Sequence, residues 1–177
     1  MLKSSIKKNY ITLCATGETE KLESLIFKYT DVLKLRNYGA FSNGYRNGLY
    51  YSVKNLKIHT SRMLVSKGLR IENKLIRELI NTWQGSASSY KFLKEIGTCI
   101  YESDAFPMPY NDWLYDFYKN YCLNHNLLNR LYVIMRYENR YNKENLEKLL
   151  GEYTTSNKSH SNNYITNVRD LQLKIIL

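Results

Sequence analysis

His125 follows Cys122 by three residues, a spacing that puts both side chains on one face of a helix, and a thiol beside an imidazole is the core of a cysteine nucleophile. No acid or third ligand is placed beside the pair, so Cys122 reads as a core residue and no catalysis is expected from it. Asp112 and Asp116 stand at i and i+4, the minimum for gripping a divalent ion, with Asp104 nearby in sequence. Asp112 reads instead as an acid serving a helix N-terminus. His59 sits among cations, where it meets phosphate or solvent, and His160 falls in a Ser/Asn-rich stretch. The chain contains no G-x-x-x-x-G-K-[ST], no G-x-G-x-x-G and no H-E-x-x-H. The sequence therefore predicts no catalytic residue, no metal site and no cofactor, although nucleases can scatter their acids along a chain.

The other chemistry available is that of charge. Arg46, Lys54, Lys57, Arg62, Lys67, Arg70, Lys74 and Arg77 fall in one stretch with a single acid, Glu72, so this segment holds net +7 of the chain's +10. A basic excess gathered in one place makes a local positive field to which polyanions respond. Tyr45, Tyr50, Tyr51 and Trp83 are interleaved with it, and cations beside rings are the composition of an RNA or single-strand surface. The candidate nucleic-acid-binding residues are those eight cations with Tyr50 and Tyr51. Arg70, Lys74 and Arg77, at i, i+4 and i+7, are expected to share a helix face as a phosphate-binding row. A solvated helix face on a Lys-rich protein is the competing reading.

The elements that must position these residues read as mainly α: a helical block flanked by short terminal β-strands, with α+β as the alternative. The two Pro and eight Gly of the chain favour long helices. Ile6–Leu13 reads as a strand, ended by Thr16-Gly17. From Glu18, the residues Leu22, Leu25, Ile26, Tyr29, Val32 and Leu33 take a helical period, with Gly39 as a stop. Ser42–Asn47 reads as a turn. A second helix is expected over Leu49–Ser66, with Tyr50, Val53, Leu56 or Ile58, Met63 and Leu64 inward. A third, Arg70–Trp83, has the stripe Leu75, Ile76, Leu79, Ile80 and Trp83. A fourth covers Ser88–Tyr101, with Gly97 inside it. A Pro-bearing loop at 104–110 follows and is the one possible division of an otherwise single domain. Asn111 is expected to cap a fifth helix holding Trp113, Leu114, Phe117, Tyr118 and Tyr121. Leu127–Tyr137 favours helix over strand. Asn142 caps a short helix ended by Gly151, and Thr154–Asn163 reads as a mobile loop. Leu171–Leu177 alternates and reads as a strand, able to pair with the N-terminal one or with a partner's sheet. Cys14, Cys99 and Cys122 are odd in number and far apart, as buried free thiols in a reducing, cytoplasmic compartment would be. No apolar run approaches the roughly 20 residues of a membrane span, and the N-terminus is not a signal peptide.

The N-terminal order is a polar strand (Lys8-Asn9-Tyr10-Ile11-Thr12-Leu13), a Thr/Gly turn, an acidic amphipathic helix (Glu18–Leu25), and basic helices closing on an aromatic-rich one (Ile80–Trp83 through Ser89-Tyr90-Lys91). This order resembles the N-terminal, non-catalytic half of TnpB-type transposon nucleases and related type V CRISPR effectors. The resemblance implies a helical lobe inserted after the first strand of a small β-barrel that grips guide RNA, with Leu171–Leu177 returning to that barrel. It covers about two thirds of the chain as a pattern, and no functional residue is carried over from it. The expected function is a non-catalytic RNA- or single-strand-binding protein of a viral, mobile-element or CRISPR-related system, with nucleic acid as its partner and a larger assembly as one setting for it. The alternatives are a protein-interaction or inhibitor factor that docks an acidic partner surface, and a small metal-dependent nuclease.

Overall fold

The computed structural model describes residues 2–38, 45–97, 108–156 and 162–176. In chain order the elements are α1 Ser4–Thr16, α2 Thr19–Lys28, a 3₁₀ turn Thr30–Lys34, β1 Asn37–Tyr38, β2 Tyr45–Arg46, α3 Gly48–Lys54, α4 Ile58–Ser66, α5 Asn73–Thr82, α6 Ala87–Ile96, α7 Tyr110–Asn124, α8 Leu128–Tyr137, α9 Lys143–Ser156 and α10 Asn162–Ile176. The protein is mainly α. Among the described residues the only strands are β1 and β2, paired antiparallel with Asn37 opposite Arg46 and Tyr38 opposite Tyr45. Gly39, Ser42–Gly44, Cys99, the segment 101–107 and His160 lie outside the described residues.

Left-handed residues set where the helices stop. Leu56 (φ 53°), Gly68 (85°), Gln84 (52°), Asn126 (56°) and Asn139 (55°) end α3, α4, α5, α7 and α8. At each, the left-handed residue's N–H reaches back three residues and the next N–H reaches back five, as in Leu56→Val53 with Lys57→Ser52 and Asn126→Leu123 with Leu127→Cys122. That pair of bonds satisfies the last carbonyls of the helix and turns the chain sharply. Short helices joined by tight stops let α1 pack on α3, α3 on α4, α6 on α4 and α8, α7 on α8, and α9 on α10.

Both terminal strands expected from the sequence are helices. In α1 the buried residues are Tyr10, Leu13 and Cys14, with Ile6 packed beside them, spaced 4, 3 and 1. That is a helical period, hidden in a short window where half-buried Ile11 mimics alternation. In α10, Leu171 is buried and Val168 and Ile175 pack on the core at i−3 and i+4. Leu173, between them, is exposed, and reading it as inward supplied the false period of two. Neither chain end therefore offers a strand to pair, and the two segments assigned to a barrel by resemblance are helical.

Other boundaries shift for identifiable reasons. Leu49–Ser66 is two helices, because Leu56 adopts the left-handed conformation and is 41% exposed rather than inward. The helix from Glu18 divides at Tyr29 into α2 and the 3₁₀ turn. Asn47 caps α3, its side chain accepting from the Tyr50 N–H at 3.1 Å. The third helix starts at Asn73, so Arg70 lies before it; Leu75, Ile76, Leu79 and Ile80 are buried as its stripe requires. Gly97 (φ 68°) ends α6 instead of lying inside it. Pro109 occupies the N-cap of α7, and Asn111 sits within its first turn. Leu127–Tyr137 is helical from Leu128, and Asn142 caps α9 by accepting from the Asn145 N–H at 2.9 Å. Gly151 does not stop α9, which continues to Ser156 and anchors Tyr153 in the core. Thr154–Ser156 and Asn162–Asn163 are thus helical rather than loop.

Candidate nucleic-acid interface

The residues that could have formed a catalytic centre are each occupied elsewhere. Cys14 and Cys122 are buried free thiols, and burial pushes both up to about 12, so neither supplies a thiolate near neutrality. His125 is exposed at the end of α7; its Nδ1 meets the Tyr121 carbonyl at 2.8 Å and its ring stacks on Tyr121 at 4.1 Å. It serves the helix terminus and not Cys122. Asp112 lies in the first turn of α7 and pairs with Arg140 at 3.1 Å, while Asp116 stands 4.0 Å from Lys119. Among the described residues no group of three or more His, Cys, Asp or Glu is placed to hold a metal ion.

The basic segment does not form one row. Arg46 pairs with Glu78 at 2.7 Å, and the Tyr50 hydroxyl donates to the same carboxylate oxygen at 3.0 Å. The Arg46 guanidinium also lies 4.9 Å from the Tyr50 ring centre, so the three residues close a triangle that ties β2, α3 and α5 together. Tyr50 is 1% exposed, and burial, with its bond to Glu78, pushes its phenol up to about 12. It is a core residue and offers no face to a base. Tyr51 packs edge-on against it at 5.5 Å.

Arg70 donates to the carbonyls of Val65 (3.1 Å) and Leu69 (2.8 Å), a cation at the C-terminal end of α4 where the helix dipole favours one. Lys74 pairs with Glu72 at 2.6 Å and Arg62 with Glu95 at 2.5 Å. Arg77 is exposed, but its guanidinium lies over the rings of Trp113 (5.7 Å) and Phe117 (5.5 Å), which stack on one another at 5.6 Å. Of the rings and cations that looked like a binding surface, Tyr50 is turned inward, while Lys54, Arg62, Lys67, Lys74 and Arg77 are exposed. Arg140 over Tyr115, Arg136 over Tyr141 and Lys174 over Tyr132 repeat the cation–ring contact in the C-terminal half.

Five of the eight cations have no acid partner among the described residues; of these, Arg70 is held by carbonyls and Arg77 lies over rings, which leaves Lys54, Lys57 and Lys67. Lys54 is in the last turn of α3, and Lys57 and Lys67 flank α4. They lie beside α2. Thr19 and Thr60 share a hydrogen bond at 2.8 Å near the N-terminal ends of α2 and α4, and Phe27 and Lys67 line one cavity at the other ends. The two helices therefore run side by side in the same direction. Lys57, at the N-cap of α4, is a cation where the helix dipole disfavours one. Its stem packs over Gly17, where an added Cβ would lie 2.8 Å from the Lys57 Cδ. Exposed His59 stands near the same end.

Phe27 is the residue that sequence reasoning missed. It is 91% exposed, the largest exposure among the exposed large hydrophobic residues described. Its signal was present: on α2 it falls about 100° from Ile26 and off the stripe of Leu22 and Ile26, so an aromatic stands on the solvent side of an amphipathic helix. Comparison with family models, with curated proteins and with solved structures finds no match to this chain.

Proposed function

We propose that this chain is a non-catalytic RNA- or single-strand-binding protein of a viral, mobile-element or CRISPR-related system, working through the face built by α2, α3 and α4. The observation that supports it is that Lys54, Lys57 and Lys67 form no ion pair with a described acid, and that Lys67 stands beside an exposed aromatic ring. Lys57 and Lys67 are ten residues apart, about 15 Å along a helix, enough for more than one phosphate of a strand. Paired Arg62 and Lys74 can add to the field, since half-exposed ion pairs contribute only about 0–1 kcal/mol and exchange partners at small cost.

A second reading, docking on an acidic protein surface, draws on the same cations and is favoured by the apolar lining of the cavity under Phe27. The deciding experiment is an electromobility titration of the full chain with single-stranded RNA, single-stranded DNA and duplex at several salt concentrations. The parent and a Lys54→Gln, Lys57→Gln, Lys67→Gln variant are run side by side. Single strands should bind better than duplex, and the variant's salt slope should fall by roughly 2, about 0.7 for each lost phosphate contact. Absence of binding to every strand at low salt, or an unchanged slope in the variant, would hand the face to a protein partner.

A further inference from the structure

Phe27 is not an isolated surface ring. It shares a cavity of ≈710 Å³ with Ile26, Leu33, Thr30, Glu23 and Lys67, whereas the other cavities described measure ≈150–450 Å³. Single exposed apolar side chains need no explanation, but a ring standing over an apolar-floored groove in the size range of ligand sites does.

The ring is free because of how α2 ends. Tyr29 leaves the helical conformation at the C-cap (φ −139°, ψ 72°), and the chain re-enters as the 3₁₀ turn with Val32 buried and Leu33 packed against the core. This places Leu33 and Thr30 opposite Ile26 and leaves Phe27 on the rim. Resting on the nucleic-acid reading above, we infer that this groove receives one unpaired base of a bound strand, stacked on Phe27, with Lys67 meeting the adjoining phosphate.

Three observations favour a base over a protein anchor. The rim mixes apolar and polar groups, Ser24, Thr30 and Glu23 among them, which suits a flat ring with donors and acceptors on its edge. Lys67, beside the ring, forms no ion pair with the Glu23 that lines the same cavity, so its ammonium can meet a phosphate while the Glu23 carboxylate can accept from the edge of a base. A helical peptide needs anchors repeated at i, i+3 or i+4 and i+7, and the groove offers one exposed ring at one end of α2. Stacking is tolerant of sequence because every base has a π face, so the groove should accept an RNA or a DNA strand alike.

The test uses three labelled oligomers of equal length: oligouridylate, oligothymidylate and an abasic deoxyribose-phosphate strand. Phe27→Ala and Phe27→Trp are titrated beside the parent protein. Phe27 is almost wholly exposed, so both variants should melt like the parent. Phe27→Ala should weaken binding of the two base-bearing strands roughly 5- to 150-fold and leave their salt slope unchanged. Phe27→Trp should bind them at least as tightly as the parent. The abasic strand should bind parent and Phe27→Ala alike. If base-bearing strands bind the parent and Phe27→Ala equally, the groove does not take a base, while the nucleic-acid reading survives. If Phe27→Ala loses the abasic strand in the same proportion, the ring does not act by stacking and the inference fails. If no strand binds the parent at low salt, both readings fall together.

Discussion

The hydroxyl of Tyr10 occupies the space a side chain at position 48 would need: a Cβ on Gly48 would lie 2.1 Å from it and 2.9 Å from the Cys14 sulfur. Gly48 opens α3, and Tyr10 and Cys14 lie on the face of α1 that packs against it. The absence of a side chain at Gly48 thus sets the approach of α1 to α3, the helix that carries Lys54. Gly48→Ala should destabilise the protein by about 3 kcal/mol or more, because Tyr10 is wholly buried and cannot swing aside. The Tyr10 hydroxyl is buried with only the weakly bonding Cys14 thiol beside it, so Tyr10→Phe should change stability by no more than about 1 kcal/mol. It should also soften the cost of Gly48→Ala. A double-mutant cycle by urea unfolding measures the coupling, and strictly additive effects would mean that the two residues do not meet as described.

One stop and one continuation predict stabilising changes. Leu56 ends α3 with φ 53°, a conformation costing a branched L-residue about 1–2 kcal/mol. Leu56→Gly removes that strain and loses little packing, since the side chain is 41% exposed; a gain of about 0.5–1 kcal/mol is expected. Gly151 lies inside α9, exposed, with nothing within 4 Å of an added Cβ, so Gly151→Ala should gain about 0.5–1 kcal/mol. Urea midpoints report both, and a lower midpoint for Gly151→Ala would argue that α9 ends there after all.

These positions also show what the sequence could reveal. The stripe Leu75, Ile76, Leu79 and Ile80 was legible because a strongly amphipathic helix carries its period inside one window. The break after α3 was not, because Leu56 carries no turn signal; the bonds from Leu56 and Lys57 that close the helix decide it. An apolar residue left on the surface, Leu173, corrupted the period of α10. For the binding face, composition located the basic segment but not the partners of each cation. Those partners come from distant residues, Glu78, Glu95 and Trp113, whose proximity only the fold supplies.

Alkaline pH should unfold this protein early. Burial pushes Cys14, Cys122 and Tyr50 up to about 12, and raises Tyr10, Tyr90, Tyr118 and Tyr132 further. In the unfolded chain thiols release protons near about 8.5 and phenols near about 10. The folded state therefore holds protons that the unfolded state has lost. Its stability is fully present below about pH 8.5 and declines as pH rises toward about 12. Urea midpoints measured from neutral to alkaline pH should fall along that course. Complete ionisation of the tyrosines should coincide with the loss of helical circular dichroism; complete ionisation in a still-folded chain would contradict the burial of these rings.

Arg77 and Lys74 separate a structural cation from a solvated one. They lie three residues apart on α5, and both are exposed at their ends. The Arg77 guanidinium, however, covers Trp113 and Phe117 from α7, so it joins two helices far apart in sequence. An exposed cation–ring contact contributes about 0.5–1 kcal/mol, and Arg77→Ala should lose that together with the packing of its stem. Lys74→Ala gives up an ion pair to Glu72 on the neighbouring turn and should stay within about 0.5 kcal/mol of the parent. Arg77→Lys keeps the charge but not the planar group, so it should fall between the two. Tryptophan emission adds a readout that a solvated cation would not move, because Trp113 is 5% exposed and loses its cover in Arg77→Ala. Equal small stability changes for Arg77→Ala and Lys74→Ala, with emission unshifted, would place Arg77 back in solvent and make it available, with Lys74, to a phosphate.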